Sequence, residues 1–108
     1  MRILFDQGTP VPLRNFLSSH QVATAFERGW SILSNGDLLA AAEQEGFEVF
    51  VTTDKNLGGQ QTFGGLRIAI VVLSSTSWPR IQKAVTVVKQ AIDAALPGSF
   101  KEVAIPSN

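Results

Sequence analysis

The sequence contains no cysteine. That absence excludes disulfides, thiolate-bound zinc and a cysteine nucleophile. Charge of either sign is also not in excess: nine basic and nine acidic side chains give a net charge of zero. The chain therefore lacks the broad basic footprint of many nucleic-acid-binding domains, and any contact with nucleic acid must rest on a local patch or a bound metal. Long hydrophobic runs are missing as well. Ile68–Leu73 is the longest that matters, against the roughly 18 apolar residues that a membrane span needs. Met1–Asp6 has neither the apolar stretch nor the cleavage site of a signal peptide. These absences predict a cytoplasmic protein with no membrane association.

What is present is a globular composition, 44% hydrophobic and 17% charged over 108 residues. That length suits one domain, spanning 1–108, with a single hydrophobic core. No internal repeat, low-complexity segment or linker interrupts it.

Short apolar runs alternate with helical patterns. Arg2–Phe5 reads as a strand buried on both faces and ends at Asp6. Thr9 and Pro10 read as the cap and first turn of a helix whose apolar face is Leu13, Phe16 and Leu17. Val22–Phe26 is a second strand, and Glu27–Ser34 an irregular loop. Ser34-Asn35-Gly36-Asp37 resembles a capping box that opens a helix with Leu38, Leu39 and Ala42 inward, stopped at Gly46. Glu48–Thr53 is a third strand, ending at Asp54. A glycine-rich loop with Gly58, Gly59, Gly64 and Gly65 then leads to the strand Ile68–Leu73. The pair lacks a following Gly-Lys-Ser/Thr, so it is no phosphate loop and reads as a mobile segment beside the acids. Pro79 opens one long helix, with Ile81, Ala84, Val85, Val88, Ile92 and Ala95 on its apolar face, and Phe100–Ile105 is an edge strand. This alternation predicts an α/β fold: a three-layer parallel sheet of about five strands with helices on both faces.

In such sheets ligands bind beyond the carboxyl ends of the strands, where the strand order reverses. Asp6 follows the first strand and Asp54 the third. If those strands are neighbours, in a 2-1-3-4 order, the crevice lies between the two carboxylates. Asp37, at the start of the helix that feeds the third strand, belongs at the same end. Asp6, Asp37 and Asp54 are thus the candidate catalytic and metal-binding residues. An all-oxygen donor set suits Mg²⁺ or Mn²⁺, and metal-bound water can attack a phosphodiester. Each acid also has a plainer reading: Asp37 as a helix cap, Asp54 as a turn former, and Asp6 as a paired carboxylate.

The segments Ile3-Leu4-Phe5-Asp6, Gly36-Asp37-Leu38-Leu39 and Val51-Thr52-Thr53-Asp54-Lys55-Asn56-Leu57 together resemble the small prokaryotic PIN-like proteins. The resemblance covers nearly the whole chain, and its strand-Thr-x-Asp-Lys segment is the most specific part. It implies a metal-dependent endoribonuclease in which Asp6, Asp37 and Asp54 hold Mg²⁺ or Mn²⁺. It also implies RNA as substrate, a protein antitoxin as partner, since some relatives are toxins of toxin–antitoxin pairs, and pairing into a homodimer. The chain departs from the pattern at Gln7, where relatives often carry a second acid, and at Ser74-Ser75-Thr76, where many carry a fourth.

Lys55, Arg14 and Ser74 are candidate substrate-binding residues, each with an ordinary structural alternative: solvated charges for the first two, a helix-cap region for the third. Arg28 offers another local cation, His20 stands alone, and Trp30 and Trp78 suit either base stacking or the core. Two other functional classes fit the same residues. One is a catalytically degenerate PIN-like module that only binds a partner. The other is a receiver-like phosphoacceptor, with Asp6, Asp54 and Ser74 after successive strands, although Gln7 and Ala104-Ile105-Pro106 stand where receivers carry an acid and a lysine.

Overall fold

The computed structural model describes residues 1–55, 57 and 65–107. It is an α/β fold built on a five-stranded, all-parallel sheet. The strands are β1 Arg2–Phe5, β2 Gln21–Thr24, β3 Val49–Thr52, β4 Ala69–Leu73 and β5 Phe100–Val103. They lie in the order β2-β1-β3-β4-β5. The chain builds outward from β1 to β2, crosses back to β3, and continues to β4 and β5. The order therefore reverses between β1 and β3, which pair at Ile3↔Val49, Leu4↔Phe50 and Phe5↔Val51.

Alternation along the strands divides the core into two layers. Ile3, Phe5, Val49, Val51, Val71 and Leu73 face one side. There they meet Leu13 and Leu17 from the 3-10 helix Val11–Phe16, Ile81 from α2 (Trp78–Lys83), and Val88 and Ile92 from α3 (Val85–Asp93). Leu4, Phe50, Ile70 and Val72 face the other side and meet Leu38, Leu39 and Ala42 of α1 (Asn35–Gln44). Every residue of β3 and of β4 is buried, as expected of parallel strands covered on both faces. No helix among the described residues is long and apolar enough to cross a membrane.

Three elements differ from the sequence reading. The predicted Thr9-capped α-helix is a 3-10 helix whose cap position is Pro10, with no side-chain cap; Thr9 is turned toward Asp6 instead. The second strand ends at Thr24, and Phe26 stands 77% exposed beyond it. The long C-terminal helix is two helices separated at Ala84, whose φ of −110° and ψ of 16° leave the α region. The break falls directly before Val85-Thr86-Val87-Val88, a run of four β-branched residues of low helix propensity. The N–H of Ala84 closes a tight turn onto the Ile81 carbonyl at 2.9 Å, and both helices keep their apolar faces on the sheet. The predicted glycine-rich loop falls largely on residues 58–64, outside the described residues; Gly65, with φ of +92°, is described.

Candidate functional site

The carboxyl ends of β1 and β3 carry Asp6 and Asp54, and a fully buried threonine joins them. Thr52, the last residue of β3, is 0% exposed. Its hydroxyl donates to Asp6 Oδ2 and accepts from the Asp54 backbone N–H at 3.1 Å. A buried hydroxyl in a central strand is costly unless its hydrogen bonds are made; here both roles are filled, one toward each acid.

Asp6 is held from a second direction. Thr9 Oγ1 lies 2.6 Å from Asp6 Oδ1 and 2.9 Å from the Val51 carbonyl oxygen. One hydroxyl proton serves one acceptor at a time, and the shorter contact to the carboxylate is the charge-assisted one. Each Asp6 oxygen thus accepts one hydroxyl, which leaves a lone pair on each for an outside ligand. The loop that carries Thr9 passes close to β3. A Cβ on Gly8 would lie 2.5 Å from Thr53 Oγ1, so only glycine permits this approach. Gly8→Ala is expected to push the loop off β3 and cost about 1–3 kcal/mol, the usual range for overpacking. Urea denaturation of the variant against the parent chain measures it.

Asp54 is met from α1. Asn35 Nδ2 donates to Asp54 Oδ2 at 2.8 Å, which fastens the first turn of α1 to the end of β3. Ser34 caps that helix, its hydroxyl accepting the Asp37 N–H at 3.3 Å, as the capping-box reading predicts. Asp37 is exposed in the same turn, where the helix dipole favours a carboxylate. All three predicted acids therefore belong to the elements that meet at one end of the sheet. They do not close into a metal-holding group: no three His, Asp or Glu side chains among the described residues do so.

The other predicted site residues have varied surroundings. Lys55 is exposed beside Asp54. Arg14 donates through both terminal nitrogens to Glu27, at 3.1 and 2.8 Å, while its buried Nε finds no acceptor among the described residues. Glu27 is itself held by a reciprocal pair: Thr24 N–H donates to Glu27 Oε1 and Glu27 N–H to Thr24 Oγ1, each at 3.0 Å. The Arg14 guanidinium, and next the Thr24 amide, hold the Glu27 carboxyl below the usual carboxylate range. Ser74, after β4, uses its hydroxyl to accept the Ile105 N–H at 2.7 Å. His20 Nε2 lies 2.7 Å from Asp93 Oδ1 of α3, on the 3-10-helix side of the sheet. Arg28 pairs with Glu45 and lies over Trp30, and Trp30 meets Phe47 edge-on. Trp78 packs near Phe16.

Two hollows open on the Asp6 end. A small polar one of about 120 Å³ is lined by residues that include Asp6, Gln7, Trp30, Ser31 and Asn35. A wider one of about 560 Å³ lies between the 3-10 helix and the end of β2, and shares Asp6 and Gln7 with the first. Sequence reasoning missed Thr9, Thr52 and Asn35 as supports of the acids. Thr52 alone carried a signal, as a hydroxyl two residues before an acid at the end of an otherwise apolar strand. No protein-family model, curated protein or solved structure matches the chain.

Proposed function

We propose that the chain is a metal-dependent endoribonuclease of the PIN-like kind, with its phosphodiester-cleaving site at the carboxyl ends of β1 and β3. The observation that carries this reading is the Thr52 hydroxyl, which joins Asp6 to the Asp54 backbone across the strand-order reversal. Two acids placed there and braced by Thr9, Thr52 and Asn35 are a pre-set oxygen cluster; surface acids need no such support.

The donor set fits Mg²⁺ or Mn²⁺. Its ligands are all oxygen, and Mg²⁺ is commonly held by only one or two carboxylates with the rest of its sphere water and phosphate. Asp6 and Asp54 would hold the ion, with Asp37 as an outer carboxylate. When bound, it supplies a Lewis acid for the phosphate and a water of lowered pKa. The chain's own residues do the rest. Thr9 and Thr52 fix the Asp6 carboxylate, so it loses little freedom on meeting a ligand. Asn35 fixes Asp54 in the same way. Lys55, exposed beside Asp54, provides a mobile positive charge for a substrate phosphate, whereas Arg14 is already neutralised by Glu27. A protein antitoxin and a second copy of the chain are partners within the same proposal.

The test is cleavage of unpaired RNA with Mn²⁺, with Mg²⁺ and with chelator. The parent chain is expected to cut only with metal, and Asp54→Asn to cut at least about 10-fold more slowly, the lower end for disturbing a metal site. Metal-independent cutting, or an Asp54→Asn variant as fast as the parent, would refute the proposal. The open arrangement of the three acids favours a second reading, the degenerate PIN-like module that binds a partner without catalysis. Under that reading Mn²⁺ does not change the thermal midpoint of the chain.

A further inference from the structure

We infer that the wider hollow beside Asp6 is a subsite for one unpaired nucleobase next to the scissile phosphate, with Phe26 as its stacking platform. This rests on the endoribonuclease reading and adds a substrate contact to it.

The hollow shares Asp6 and Gln7 with the acid site, so a ligand seated in it adjoins the proposed chemistry. Its apolar wall is Phe26 and Val11, which are 77% and 53% exposed. Phe26 is the most exposed of the described phenylalanines. It occupies the turn just past β2, where the sheet no longer covers it. A bare ring at the mouth of a polar site offers a face that every base can stack on. The remaining wall is polar. Thr24, Glu27 and Arg14 form one connected hydrogen-bonded unit, and Arg14 Nε in that wall has no acceptor among the described residues. The unit offers a base edge both donors and acceptors with no net charge. A neutral, stacking subsite also fits the zero net charge of the chain, since affinity then comes from the base and not from counterion release. A protein segment on the same patch would use Phe26 and Val11 but has no need of the wall shared with Asp6.

The experiment measures kcat and KM with short unpaired RNAs in Mn²⁺ for the parent chain, Phe26→Ala and Phe26→Trp. It is repeated with RNAs carrying one abasic nucleotide at each position in turn. Phe26→Ala is expected to raise KM about 10-fold, as for loss of one base stack, with kcat within about twofold and Phe26→Trp close to the parent. One abasic position is expected to raise KM for the parent and to add nothing in Phe26→Ala. Unchanged KM in Phe26→Ala, or equal sensitivity of both proteins to every abasic position, overturns the subsite while the cleavage reading stands. A parent chain that does not cut RNA at all overturns both. Because the ring is largely exposed, the alanine variant is expected to fold, and its thermal midpoint checks that.

Discussion

Asp6→Asn is expected to lower metal-dependent RNA cleavage by at least about 100-fold, the upper end for disturbing the surroundings of a metal site, with a change in stability below about 1 kcal/mol. The separation of the two effects follows from Thr9. An asparagine whose Oδ1 faces Thr52 keeps that hydroxyl's acceptor, and with it the bond from the Asp54 N–H. Its Nδ2 then faces Thr9, whose proton can turn to the Val51 carbonyl 2.9 Å away while its oxygen accepts from the amide. The hydrogen bonds are conserved and the charge is lost. Thr52→Val lacks this escape, because it leaves both Asp6 Oδ2 and the Asp54 N–H without the hydroxyl. Cleavage rates and urea denaturation on the same preparations distinguish the outcomes: equal cleavage by Asp6→Asn and parent would remove Asp6 from the site.

Phe50→Ala is expected to have the largest effect on stability, about 3–5 kcal/mol. Phe50 is 0% exposed at the middle of β3, the central strand, and packs in the layer with Leu38, Leu39 and Ala42 of α1. Removing the ring leaves a void that the neighbouring strands hold open, since β1 and β4 fix the backbone on both sides. A loss of that size is a large part of the roughly 5–15 kcal/mol typical of a whole domain. Urea denaturation should show a lower midpoint with an unchanged slope. A loss under 1 kcal/mol would mean that α1 collapses freely onto the sheet.

The sheet was legible because its evidence is short-range and repeated. Ile3–Phe5, Val49–Thr52 and Ala69–Leu73 are apolar throughout, and each ends at a polar residue or turn. The strand order followed from the crossovers that parallel pairs demand. The places where the reading failed share a cause. Thr9-Pro10 has the local form of a helix start, but a carboxylate three residues earlier competes for the threonine hydroxyl. Ala84 fits the helical apolar spacing, yet the β-branched run that follows resists a continuous helix. The acids could be placed at one end from topology alone. Their separation depends on side-chain angles that no spacing encodes, and Asn35 could not be chosen over its polar neighbours before α1 was seated against β3.

The all-parallel sheet also bears on synthesis at the ribosome. No two strands form a hairpin, so each pairing waits for a crossover to emerge, and sheets of this kind assemble slowly. Until the last few residues are made, β4 presents Ala69–Leu73, wholly apolar, as a bare edge of the kind that seeds aggregation. The fourth and final crossover covers it with β5, whose Lys101 and Glu102 are exposed and repel further strand addition. In the finished protein the same strand acts as a gatekeeper for the nascent one.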